Sequence, residues 1–516
     1  MRITGLILSI AAAGLSALGA SRCTGQSHSV TGSVPAKVAA GAPKPRPAIV
    51  EPTVIGMNMG LTGYGSPVWA FADLVRDHAN PGLVSPPAGV TLKMDEGGNP
   101  IDVPKGARID FFLNGTERHI PATYRCTPPP PGWKMEVGMT GLLVRRGGDY
   151  LVVVPKIPSY GVSLTKLNYT AEKDGLKLDN VHCRRDGSPP GSFSPVFLND
   201  VKAFRVIRFM NWMKTNNQPP QTWENRPKPT DFSIVPKGTS VEEMVELANT
   251  AHADPWFTLP FDADPAYYRN FAIYVRDHLA PDLKAYVELS NEVWNTSFTQ
   301  GQTAVQRGKA RYPRDNDVDA ADFYYGDRVR DLMKVWSDVF AGQTGRIVRV
   351  VATQHVWTDR AAKILGHNDT WRSVDVLASA PYFGSTIQGL PGVGEQRIAG
   401  GLARIPAQIT TTIDQAVALK AVANRFGLRY VAYEGGPDIL GFTPDAAKDA
   451  TALAHDPRFK ELYTSYLEQW RRRVGGVLVL FDWGDGTPYQ HIDYMGQPPS
   501  EAPKLAAVLD FIARKD

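Results

Sequence analysis

The chain carries only three cysteines in 516 residues, almost no net charge, and no apolar run after its first twenty residues that could cross a bilayer. The cysteine count excludes a small scaffold stapled by disulfides. The missing runs exclude a spanning helix, which needs about 20 apolar residues. A formal charge of +4, from 56 Lys+Arg against 52 Asp+Glu, comes without a basic stripe interleaved with aromatics, so no nucleic-acid partner is expected. Several catalytic signatures are missing too. No Gly-x-Ser-x-Gly is present to set a nucleophilic serine on a sharp turn; Gly63-Tyr-Gly-Ser66-Pro67 comes nearest, and its proline does not suit that turn. There is no His-Glu-x-x-His, no histidine pair at helix-ligand spacing and no loop of alternating Asp and Gly, so no metal site is expected. No cofactor is implied: the glycines of Gly56–Gly65 do not have dinucleotide-binding spacing.

What is present begins with an N-terminal Arg2, the apolar run Leu6–Leu18 and the small residues Ala17, Gly19 and Ala20. This reads as a signal peptide over 1–22, followed by a flexible leader over 23–52 rich in Ser, Gly, Ala, Lys and Pro. An exported, soluble, monomeric protein is expected, secreted or periplasmic. Cys23 follows Ser21 and Arg22, which do not resemble the small-residue site of lipid attachment, so a lipid anchor is not favoured. Cys126 and Cys183 would form an even pair in an oxidising compartment, where a disulfide persists; two separate buried thiols are the alternative.

Short apolar runs recur at Val54–Met59, Phe204–Met210, Pro255–Thr258, Ala285–Leu289, Ile347–Ala352, Val374–Ser379, Tyr430–Tyr433 and Gly476–Phe481. Helical patterns lie between them, at Val68–His78, Val241–Asn249, Ala266–Leu279, Ala320–Phe340, Ile409–Phe426, Pro457–Arg472 and Ala502–Arg514. Ser240 with Glu243 three residues on is a capping box. Eight strands alternating with helices predict an α/β fold, a (β/α)₈ TIM barrel over 53–85 and 197–516, rather than an open doubly wound sheet. Residues 86–196 depart from this rhythm. Runs at Val90–Met94, Arg108–Leu113, Met139–Val144 and Tyr150–Val154, split by Gly and Pro, predict an inserted antiparallel β-domain between the first helix and strand two.

In such barrels the reacting groups project from the carboxyl ends of the strands. Strand four is followed by Ser290-Asn291-Glu292-Val293-Trp294-Asn295, and strand seven ends in Tyr433-Glu434. Two carboxylates from nonadjacent strands suit glycosidic cleavage with retention, in which one carboxyl group protonates the leaving oxygen and the other attacks the anomeric carbon. The acid must keep its proton near neutral pH, which burial or a neighbouring carboxylate achieves.

These residues resemble clan A of the glycoside hydrolases, the superfamily of retaining β-glycosidases. The likeness runs from about Val54 to the end. The stretches Arg208–Asn216 and Glu288–Asn295, the latter containing Ser-Asn-Glu-Val-Trp-Asn, also resemble a group of secreted bacterial proteins described as cellulose-binding-like. The resemblance implies that Glu292 is the acid/base, Glu434 the nucleophile and Asn291 the contact to the sugar 2-hydroxyl. It further implies that Arg208 holds the nucleophile ionised, Tyr382 hydrogen-bonds it, and Trp483 forms the aromatic platform under the sugar. The chain departs from familiar clan members after strand three, where Leu259-Pro-Phe-Asp-Ala-Asp264 stands in place of a histidine-containing set.

Read without the family, Arg208 and Tyr382 would lower the pKa of Glu434 by charge pairing and hydrogen bonding. Trp212, Trp256, Trp294, Trp357, Trp483, Tyr64 and Tyr489 are candidates to stack sugar rings, against the alternative of ordinary core packing. Asp482 and Asp485 suggest an open, polar setting for Trp483. His355 is either a structural side chain or part of the sugar site. An oligo- or polysaccharide substrate is expected, with three alternatives: a non-catalytic glycan-binding protein, an inverting hydrolase, or a lyase on the same barrel.

Overall fold

A computed structural model of the chain describes residues 50–60, 66, 68–78, 82–83, 90–115, 122–139, 141–154, 163–484 and 486–514. Eight parallel strands close into a barrel: β1 (Glu51–Met59), β2 (Val206–Arg208), β3 (Asp254–Leu259), β4 (Ala285–Leu289), β5 (Ile347–Ala352), β6 (Val376–Ser379), β7 (Arg429–Ala432) and β8 (Gly475–Trp483). The expected eight strands and their order are borne out, with ends displaced by up to three residues. Closure is made by β8 pairing with β1 from Glu51↔Gly475 onward. Gly56 is needed where β1 meets β2: a Cβ there would lie 2.8 Å from the Val206 carbonyl oxygen.

Side chains alternate between two cores, as strand geometry requires. Inward-facing Val206, Trp256, Tyr286, Val350, Val376, Val431, Tyr433 and Val479 fill the barrel. The residues between them, such as Phe257, Val287, Leu289, Val351, Leu377 and Leu478, face the surrounding helices. The barrel interior is thus a packed core and not a pore. No helix of the described residues is long and apolar enough to cross a membrane.

The helix Val241–Ala251 carries the expected capping box. The first helix is shorter than expected, Leu74–His78 rather than Val68–His78. Phe71 and Asp73 instead form antiparallel bridges to Phe193 and Arg184, and that backbone pairing competes successfully with helix. The helix Thr299–Arg311 was not legible because Gly301 and Gly308 depress helix propensity. Gly308 is there for packing: a Cβ would lie 2.4 Å from the Ala320 carbonyl oxygen on the next helix, Asp317–Val339.

Residues 82–185 contain two four-stranded antiparallel sheets. One orders Gly82–Leu83, Arg108–Gly115, Ser163–Ala171 and Trp133–Met139; the other orders Cys183–Arg185, Ala122–Cys126, Asp149–Val154 and Leu142–Arg146. Cys126 and Cys183 sit opposite one another in the second sheet and form a disulfide. Phe111, from the first sheet, packs 5.3 Å from Phe232 of the segment following β2.

Candidate active site

Arg208 ends β2 with its side chain fully buried inside the barrel mouth. A buried guanidinium is tolerable only when its charge is matched and its donors are used. All five N–H groups are used. Nε and one Nη2 proton go to Glu288 Oε2 (3.2 and 2.9 Å), and the second Nη2 proton goes to Asn291 Oδ1 (2.8 Å). Nη1 donates to Glu434 Oε1 (2.7 Å) and to Asn58 Oδ1 (3.1 Å). This fork locks together the ends of β1, β2, β4 and β7.

Glu434 follows β7 and is 5% exposed. Its second oxygen accepts from the Tyr382 hydroxyl at 3.0 Å. Burial raises its pKa, and Arg208 and Tyr382 oppose that rise. The expectation of a net lowering is therefore corrected: both partners act in the expected direction, but desolvation outweighs them. Burial also pushes the Tyr382 hydroxyl well above its usual range, so it remains a protonated donor.

Glu292 follows β4 and is partly exposed. Ser290 and Glu292 both adopt positive φ, 61° and 44°, a conformation costly for a residue with a Cβ and typical of functional segments. Glu292 accepts from Asn295 Nδ2 (3.0 Å) and, at longer range, from the Tyr433 hydroxyl (3.4 Å). Burial and then the Glu434 charge push its carboxyl up to about 7. Two carboxyl groups that feel each other thus sit in different settings. Glu434 is gripped by a cation and a phenol, whereas Glu292 is held by weaker neutral donors. Arg208 and Tyr382 thus favour the ionised form of Glu434, whereas Glu292 accepts, among the described residues, no hydrogen bond from a cation.

Asn291 is held at both ends, by Arg208 at Oδ1 and by Asn216 accepting from Nδ2 (3.1 Å). Asn216 is steadied in turn by Gln300 (2.8 Å), so the amide is presented in one orientation. Sequence reasoning missed Asn58, Glu288, Tyr433, Asn216 and Gln300. Glu288 left a signal, since a carboxylate at an inward position of an apolar strand needs a buried cation. It is fully buried, and the Trp256 indole also donates to it at 2.8 Å.

Other expected site residues are not brought to the mouth. Trp483 is 1% exposed and packs edge-to-face with Phe204, 5.4 Å away, in the outer core. The cause is a register shift in which Met57↔Leu480 is followed by Met59↔Trp483, so three residues of β8 span two of β1 and the indole is re-aimed. Trp212, also 1% exposed, packs among Phe71, Phe193 and Phe197. Neither can stack a sugar. Asp482 is fully buried, which removes the open polar setting expected for it. His355 is buried, with one ring nitrogen on the Ser379 hydroxyl (2.8 Å) and the other on Thr412 (3.0 Å); burial pushes its pKa down to about 4. It ties the segment after β5 to β6 and a covering helix and has no nitrogen left for a ligand. Tyr382, which donates to Glu434, packs with Phe481 and Tyr489, the three ring centroids lying 5.7–6.4 Å apart. Trp294 is partly exposed in the Glu292 segment, and Trp256 is committed to Glu288. Tyr64, Asp485, Cys23 and the expected signal peptide lie outside the described residues.

No family model matches the chain, and no curated protein matches it. Among solved structures it is similar to a GH51 arabinofuranosidase from Xanthomonas axonopodis pv. citri, with 14% identity over 57% of this chain and 62% of that one, at a TM-score of 0.36. A GH39 enzyme from the same organism gives 13% identity over 63% of this chain and 64% of that one, at 0.37. A GH26 endo-β-1,4-mannanase from Bacillus sp. JAMB-750 gives 9% identity over 64% and 82%, also at 0.37. The chain thus spans less than two thirds of the length of the first two.

Proposed function

We propose that this protein cleaves, or transfers, a β-linked sugar by double displacement with retention, using Glu292 as general acid/base and Glu434 as nucleophile. The observation that carries the reading is the asymmetry of the pair: Glu292 holds its carboxyl proton up to about 7, while Glu434 is fixed by Arg208 and Tyr382. Glu292 would pass its proton to the glycosidic oxygen as Glu434 attacks the anomeric carbon and forms a covalent ester. The leaving alcohol departs with that proton. Glu292, now ionised, takes a proton from water, which displaces Glu434 and releases the sugar with its starting configuration. Asn291, held rigid, is suited to a hydroxyl beside the reacting carbon. Phe481 and Tyr489 replace Trp483 as the rings suited to the sugar's apolar face.

The Cys126–Cys183 disulfide, together with the leader pattern, supports export from the cytosol. We further propose that residues 86–196 form an accessory β-rich domain against the outer wall of the barrel. Glu434→Gln should abolish turnover across a panel of aryl β-glycosides and β-linked oligosaccharides. Wild-type rates in that variant on a substrate the native protein cleaves would remove the assignment.

A further inference from the structure

Beyond the barrel centre, the exposed large apolar residues Val356 (52% exposed) and Trp357 (49%) follow β5, and Val318 (42%) opens the helix Asp317–Val339. Single exposed apolar residues need no explanation, but here three line one groove of about 370 Å³, within the ~300–1,000 Å³ range of ligand pockets. Its wall also contains Asp319, Asp322 and Arg360. Asp322 is only 3% exposed, and its Oδ1 accepts from the Arg360 Nε at 2.8 Å. Its Oδ2 is buried without a hydrogen-bond partner. A buried acceptor left unsatisfied is destabilising, and a hydroxyl donor reaching it from the groove would relieve that cost. The Arg360 guanidinium sits over the Trp357 ring, 5.6 Å from its centroid.

A half-exposed indole, aliphatic neighbours and a buried carboxylate oxygen in want of a donor form a combination that fits a pyranose: an apolar C–H face with hydroxyls at its edge. Both walls belong to the carboxyl-terminal end of the barrel. β5 ends at Ala352, just before Trp357, and the helix bearing Val318 and Asp322 begins there and runs back to the start of β5. We propose that this groove is a second carbohydrate-binding site, which holds a glycan chain on the outer rim of the barrel with Trp357 as its stacking platform and Asp322 as its hydroxyl acceptor. The choice of ligand rests on the glycosidase reading; the geometry of the groove does not.

The test uses the full chain and hexasaccharides of β-1,4-linked glucose, mannose and galactose, titrated by calorimetry. Trp357→Ala should weaken the best-bound hexasaccharide about tenfold, the ratio that 1.4 kcal/mol of lost stacking gives. Trp357→Phe, which keeps a ring, should recover most of that affinity. Equal affinity in wild type and Trp357→Ala, or no binding of any of the three, overturns the proposal. So does a concentration-dependent dimer that Trp357→Ala abolishes in sedimentation, since the patch would then belong to a second copy. Turnover of aryl β-glycosides by the wild-type protein separates the two readings. Trp357-dependent binding without turnover removes catalysis and leaves the groove; turnover with Trp357-independent binding does the reverse.

Discussion

Replacing Glu434 by Gln should change the acidity of a different residue. Glu292 sits at about 7 because burial and then the Glu434 charge raise it, against Asn295, Arg208 and Tyr433. With the ~5.5 Å separation that the proposed retaining mechanism requires and an effective dielectric constant of ~20, one unit charge would contribute 332/(20 × 5.5), about 3 kcal/mol, or about two pH units. Glutamine keeps the shape of Glu434 and an oxygen for Arg208, but not the charge. Arg208 is then less neutralised and acts in the same direction. Glu292 should fall from about 7 to about 5, still above an ordinary carboxylic acid because its burial is unchanged. Carbon-13 NMR of protein labelled at the glutamate δ-carbon reads this directly, with the resonance assigned by its loss in Glu292→Gln. A Glu292 that still titrates near 7 in Glu434→Gln would refute the electrostatic coupling between the pair.

Three further outcomes follow from the same geometry. Glu292→Ala should slow cleavage of substrates with a poor leaving group by about 10²–10⁴-fold and spare those whose aryl leaving group departs without a proton; equal losses on both would remove the acid role. Arg208→Met leaves Glu288 and Glu434 buried without their cation and should cost about 3–5 kcal/mol in urea denaturation at neutral pH. Both carboxyl groups have folded-state values raised above the ordinary range, so that loss should grow as pH rises through those values and shrink below them; a loss independent of pH would contradict the placement. Removing the disulfide with Cys126→Ser and Cys183→Ser frees a separation of 57 residues and should cost about 4 kcal/mol, read as a lower urea midpoint; an unchanged midpoint would show that this constraint contributes nothing.

The barrel was legible because its signal is repetitive. Eight buried strands each leave a short run of branched residues, and errors at single boundaries do not disturb the order. Arg208, Asn291, Glu292, Tyr382 and Glu434 were singled out by their places at strand ends together with the clan A resemblance, and hydrogen bonds join Arg208 to Asn291 and Glu434, and Tyr382 to Glu434. Trp483 was misread because a register shift between adjacent strands leaves no mark in one strand's composition. Asn58 was missed because a lone asparagine in an apolar strand acquires meaning only when Arg208, 150 residues later, is known to need an acceptor. His355, left open between a structural and a sugar-site role, takes the structural one, because its partners, Ser379 and Thr412, occupy both nitrogens. Residues 299–311 show how glycines that weaken a helix can be retained for the approach of a neighbouring backbone.

The most direct test of the central claim is mass spectrometry of the intact protein, then of its peptides, after incubation with 2-fluoro β-glycosyl fluorides that react with a nucleophile but release slowly. The account predicts one added glycosyl mass, carried by the peptide containing Glu434 and absent in Glu434→Gln. Label on another residue, or a substrate hydrolysed with inversion and no covalent adduct, would contradict it.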